Sequence, residues 1–76
     1  MEINEFVVKV AEQFDDEPTD ITPDSKFREI EGWCSLVALS IIAMVDEEYD
    51  VTLKGEDIKK SETLKDIFDI VSSRKS

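Results

Sequence analysis

The sequence predicts an all-α fold: a small four-helix bundle, three main helices plus one short helix, with a long ordered loop between the first and second helices. Three observations carry this. Apolar residues recur at helical spacing in two stretches and form a run apolar on nearly every side in a third, and no segment alternates apolar and polar residues over the length of a strand. The chain's 76 residues are enough for one core, so positions 1–76 read as a single domain. Val51-Thr52-Leu53 is strand-like in composition but too short and without a partner.

The first helix is written in Ile3, Phe6, Val7, Val10, Ala11 and Phe14, one continuous apolar stripe. Asp15, Asp16, Glu17 and Pro18 predict its end. The stretch from there to Cys34 holds both prolines and Gly32, yet Ile21, Phe27, Ile30 and Trp33 dot it irregularly. Those apolar residues predict a loop pinned across the core, with a short turn after Thr22-Pro23 in which Thr22 caps. A second helix is expected from about Ser35 to Glu48, and a short turn of helix from Gly55 to Lys60. The last helix starts at Thr63, an N-cap with Asp66 three residues on, and carries the stripe Leu64, Ile67, Phe68 and Val71. The tail Ser72-Ser73-Arg74-Lys75-Ser76 is expected to fray.

Composition excludes several functions. The formal charge is −10, which disfavours nucleic acid and anionic membranes as partners. No apolar run reaches the ~18 residues of a membrane span, and the start MEINEF lacks a secretory pattern. A single cysteine offers no disulfide framework and points to a reducing, cytoplasmic setting. There is no histidine, which removes Ser-His-Asp and Cys-His nucleophiles, His-ligated metals and the commonest general base. The chain reads as a non-enzyme without catalytic or metal-binding residues.

Two features depart from a plain bundle. Leu36 to Val45 is apolar on nearly every side except Ser40. Such a helix is normally fully buried, and a domain this small can hardly surround one; one face can fill the core while another meets a partner or an apolar ligand. Asp46-Glu47-Glu48, with Asp50 beyond, sits at a helix C-terminus, where acids oppose the macrodipole. A solvated face and a docking surface for a basic protein both accommodate it. Residues 1–50 hold 14 acids and 3 bases, whereas residues 51–76 hold 5 acids and 6 bases, so the negative field belongs to the first two helices and their loop. Residues 46–57 imitate a calcium loop, but Val51 stands where glycine must turn, Lys54 occupies a ligand position and Asp57 is short for the final bidentate glutamate.

Gly32-Trp33-Cys34-Ser35-Leu36 joins the long loop to the greasy helix, where a serine is commonly an N-cap. Trp33-Cys34-Ser35-Leu36, the apolar helix after it, Asp46-Glu47-Glu48-Tyr49-Asp50 and the late Leu64…Ile67-Phe68 helix together resemble the acyl carrier protein family. The resemblance includes the loop segment Ile21 to Phe27 and so spans nearly the whole chain. It implies that Ser35 carries a 4′-phosphopantetheine arm, derived from coenzyme A, in phosphodiester linkage. Leu36 matches the motif leucine, and Cys34 stands where the motif has aspartate. The arm's terminal thiol would hold acyl groups as thioesters in a fatty acid, polyketide or related specialised pathway.

The implied partners are a phosphopantetheinyl transferase and acyl-handling enzymes with basic surfaces: acyltransferase, ketosynthase, reductase and dehydratase. A monomer is expected. Val37, Asp46, Glu47, Glu48 and Asp50 are the expected partner contacts. Leu36, Leu39, Ile41, Ile42 and Val45 are expected to border an expandable pocket for the acyl chain, while the helix packs on Val7, Val10, Phe14 and Phe68. Two other readings stay open: a small acidic interaction module without prosthetic group, and a carrier of aminoacyl or peptidyl groups.

Overall fold

In the computed structural model, which describes residues 2–14, 18 and 20–75, the stripe of the first helix splits into a helix and a tighter turn. α1 spans Ile3–Ala11 and buries Phe6, Val7, Val10 and Ala11. It ends three residues short of Phe14. There Gln13 N–H bonds the Val10 carbonyl and Phe14 N–H the Ala11 carbonyl, so the backbone tightens to i→i+3 bonding. Phe14 is still carried onto the core, which is why the apolar spacing reads as unbroken helix. The stop expected at Asp15, Asp16 and Glu17 lies outside the described residues.

From Thr22 onward the long connection is held by a local turn and by bonds to distant elements. Thr22 to Ser25 closes a turn in which the Ser25 hydroxyl accepts from the Thr22 N–H at 2.8 Å. Thr22 therefore belongs to a turn and does not cap a helix; the helical turn comes later, as a 3₁₀ turn over Phe27–Glu29. Leu64 and Lys65 N–H groups, at the start of the last helix, donate to the Ser25 and Pro23 carbonyls. Arg28 donates to the Ile58, Lys59 and Ser61 carbonyls at 2.8 Å each, satisfying acceptors that the end of a helix leaves over. Phe27 is wholly buried, and Ile21, Ile30 and Trp33 pack on the core from outside.

α2 spans Ser35–Tyr49 and buries Val37, Ile41, Met44, Val45 and Tyr49. Asp50 closes it in the left-handed region at φ 57°, a conformation aspartate tolerates better than most residues. No basic residue lies in its last turn, but Lys75 Nζ reaches across to the Tyr49 carbonyl at 3.2 Å and supplies positive charge to the negative helix end. α3 is the short helix Gly55–Lys59, and the Asp57 carboxylate accepts the Lys54 N–H at its start.

α4 spans Leu64–Lys75 behind a reciprocal cap: Asp66 N–H donates to the Thr63 hydroxyl while Thr63 and Glu62 N–H groups donate to the Asp66 carboxylate. The expected fraying of the tail is not found from Ser72 to Lys75, which are helical, and Ser76 lies outside the described residues. The cause is Arg74. Its guanidinium grips buried Asp57 at 2.6 and 3.0 Å and also donates to the Thr52 carbonyl.

α1 packs on α4, α2 on α3 and α4, and α3 on α4. Phe6 meets Phe68 edge-on at 5.5 Å and Tyr49 at 6.1 Å. α2 shares the core with Val7, Val10 and Phe14, and the Lys9–Glu48 ion pair at 3.0 Å ties its acidic end to α1. Among the described residues no strand forms, only an isolated bridge between Lys26 and Thr63, and no helix is long and apolar enough to cross a membrane.

Candidate functional site

Helix capping decides what Ser35 is free to do. The N-cap of α2 is Cys34, in extended conformation and without a capping side-chain bond; Ser35 is the first helical residue and is exposed. The serine is thus not the cap that its position in the sequence suggests. Its hydroxyl stands at the positive end of a 15-residue helix that has no acid in its first turn. Unpaired N–H groups and the macrodipole favour an anion there. The Cys34 thiol is exposed beside it.

The remaining candidate residues fall on opposite sides of α2. Leu36 is 73% exposed and Leu39 60%. Ile41 and Val45 are fully buried, and Ile42 is partly buried against the core. At 3.6 residues per turn Leu36 and Ile41 face different directions, so the five expected pocket residues do not border one space: Leu36 and Leu39 are surface residues. Val37 moves the other way. It is only 6% exposed because it shares the inward row with Ile41 and Val45, and it is corrected from partner contact to core.

Asp46, Glu47, Glu48 and Asp50 are all exposed. Glu48 is already paired with Lys9, whose pKa is raised by that hydrogen bond and by the charge of Glu48. One exposed face of α2 therefore runs from Ser35 through Leu36, Leu39 and Ala43 to Asp46, Glu47 and Asp50, apolar near the serine and acidic away from it. A groove of about 260 Å³ between α1 and α2 has Lys9, Glu12, Glu47 and Glu48 among its lining residues. Its charged walls do not suit an aliphatic guest.

The sequence reading missed the outward direction of Leu36 and Leu39, since a helix apolar on nearly every side offers little periodic contrast. The signal available was the spacing of the next polar positions, Ala43 aside: Asp46, Glu47 and Asp50 continue the row of Leu36 and Leu39. In the supposed calcium loop, the carboxylate of Asp57 is committed to Arg74 and to the Lys54 N–H, which hold its pKa down at about 2.

Comparison with known proteins adds the family. The model of the phosphopantetheine attachment site matches residues 4–71. The acyl carrier protein of Treponema pallidum is 32% identical over 65 residues, covering 86% of this chain and 83% of that protein. That of Thermosynechococcus vestitus is 28% identical over the same length, covering 86% and 80%. The crystal structure of a Toxoplasma-specific mitochondrial acyl carrier protein aligns with a TM-score of 0.70 at 28% identity, over 99% of this chain and 92% of that one.

The family's prosthetic group is a covalently attached 4′-phosphopantetheine, and the family carries acyl groups between acyl-handling enzymes. A phosphodiester-linked group needs an accessible hydroxyl and a favourable field for its charge, and the exposed Ser35 at the start of α2 offers both. Of the readings left open by the sequence, the module without prosthetic group gives way. By the match of its sequence over residues 4–71 and of its four helices over nearly their whole length, the chain belongs to the acyl carrier protein family.

Proposed function

We propose that Ser35 is the hydroxyl that carries the 4′-phosphopantetheine arm, and that the chain shuttles acyl thioesters among cytoplasmic enzymes of a fatty acid, polyketide or related specialised pathway. The observation that carries the reading is the exposed Ser35 at the first position of α2, uncommitted to capping and followed by an exposed apolar-then-acidic face. When bound, the arm supplies a terminal thiol that holds acyl groups as thioesters. The protein's part is to tether and present. Tethering sets a high effective concentration of cargo at each partner's active site, and the chain needs no acid, base or metal for this.

Leu36 and Leu39 give a transferase or acyl-handling enzyme an apolar foothold beside the serine, and Asp46, Glu47 and Asp50 steer a basic surface onto the far end of the same face. Shielded cargo lies on the inward side, around Ile42 between Ile41 and Val45, where each buried CH₂ contributes roughly 0.8 kcal/mol before the cost of parting a packed core.

The test is intact-mass analysis after incubating the chain with coenzyme A and a phosphopantetheinyl transferase. The parent gains one arm and Ser35→Ala gains none. Because Cys34 holds the cap position, Ser35→Ala changes stability by less than about 0.5 kcal/mol, so loss of loading reports on the hydroxyl alone. Mass gain in the alanine variant overturns the assignment.

A further inference from the structure

The start of α2 raises a physical question: what holds it? Its N-cap side chain makes no bond, and its first turn has no acid to complement the dipole. Helix starts without these aids fray. Yet the Ala38 N–H closes onto the Cys34 carbonyl at 3.1 Å, so the first turn is formed.

The nearest anchor is Trp33, two residues before Ser35. Its ring centroid lies 4.8 Å from that of Phe27 and 6.2 Å from that of Phe14, both tilted, and both phenylalanines are buried. Each platform is fixed from elsewhere. Phe14 is held by the turn that ends α1. Phe27 sits in the loop that Arg28 binds to the end of α3 and that Pro23 and Ser25 bind to the start of α4. A turn with the Trp33 N–H on the Ile30 carbonyl, made possible by Gly32 at φ +94°, brings the indole onto both rings. Two peptide units span at most about 7 Å, so fixing Trp33 fixes Ser35 closely.

We propose that Trp33 is the positioning residue for Ser35: its indole, packed on both Phe14 and Phe27, takes the place of a capping side chain and presents the hydroxyl to the transferase in one geometry. The inference rests on Ser35 as the attachment point. A transferase that accepts only the ordered helix start sees an apparent affinity scaled by the ordered fraction, so loss of the indole raises KM and leaves kcat in place.

The experiment measures arm addition and amide hydrogen exchange on the full chain and on Trp33→Ala, Trp33→Phe and Val71→Ala. Val71 is fully buried in α4 and controls for general loss of stability. At a temperature where every variant is folded, Trp33→Ala should raise the KM for loading about tenfold at unchanged kcat. It should also lose exchange protection at Ala38 and Leu39 while Ile67 and Val71 amides keep theirs. Trp33→Phe should recover most of both, and Val71→Ala should load as the parent does. Parental KM and parental exchange at Ala38 in Trp33→Ala overturn the proposal, as does protection lost evenly over α2 and α4. If the parent itself takes no arm at Ser35, the attachment reading falls, and exchange at Ala38 and Leu39 alone decides whether Trp33 orders the helix start.

Discussion

Around α3, the bundle is joined by directed polar bonds: Arg74 grips Asp57 through two nitrogens, Asp57 caps α3 through the Lys54 N–H, and Arg28 closes the far end of α3. At the start of α2 the N-cap side chain makes no capping bond, and among the described residues three aromatic rings, Phe14, Phe27 and Trp33, pack together beside it. The difference separates two needs. Charged networks are geometrically demanding and fix the frame of the molecule, whereas aromatic packing secures a helix start while leaving its polar surface open to a partner. The serine stands at the second kind of site.

This contrast is most open to attack at Asp57, which is 2% exposed. Asp57→Ala removes the Arg74 partner and the cap of α3 together, and should cost about 2–3 kcal/mol in urea unfolding. An equal loss from truncating any exposed α2 residue would erase the distinction. The same carboxylate makes the frame acid-sensitive. Arg74 first, and the Lys54 N–H next, lower its pKa from 3.8 to about 2 in the folded state. A depressed folded pKa stabilises fully above the unfolded value, and that contribution is lost as pH falls from 3.8 towards 2. Roughly 2 kcal/mol should vanish across that window, and the difference between the parent and Asp57→Asn should shrink with it. A constant difference across that range would place the stabilisation elsewhere.

The open face of α2 should behave in the opposite way. Replacing Leu36 and Leu39 by serine should change stability by less than about 1 kcal/mol for the pair, since both are largely exposed, while raising the KM for arm addition. Marked unfolding would mean that they belong to the core after all. The smallest effect is expected at the acidic end. Glu47→Lys should slow association with the transferase at low salt, and the difference should fade as ionic strength rises, because exposed charges are screened over about 10 Å at 0.1 M. A difference indifferent to salt would reflect a local contact and not steering.

The helices were legible in the sequence because they depend on short-range chemistry, as in the Ile3 to Ala11 stripe and the Thr63 and Asp66 pair. The loop was legible as a place from its proline and glycine, while the bonds that hold it reach distant residues. The junction at Ser35 was legible as a place, from its position between an irregular loop and a greasy helix. Which way α2 turns was not. Its apolar residues run nearly all round, so periodicity could not distinguish Val37, which is core, from Leu36, which is surface. Nor could the tail's fate be read, since Ser72 to Lys75 stay helical through Arg74 reaching residues 17 and 22 positions away. Sequence by itself determined the local segments, their order and the acidic character of the first two helices. Tertiary structure decided which face of α2 meets water, how Trp33 packs on Phe14 and Phe27 and where charges are latched, because those depend on contacts between residues far apart in the chain, whose partners only packing selects.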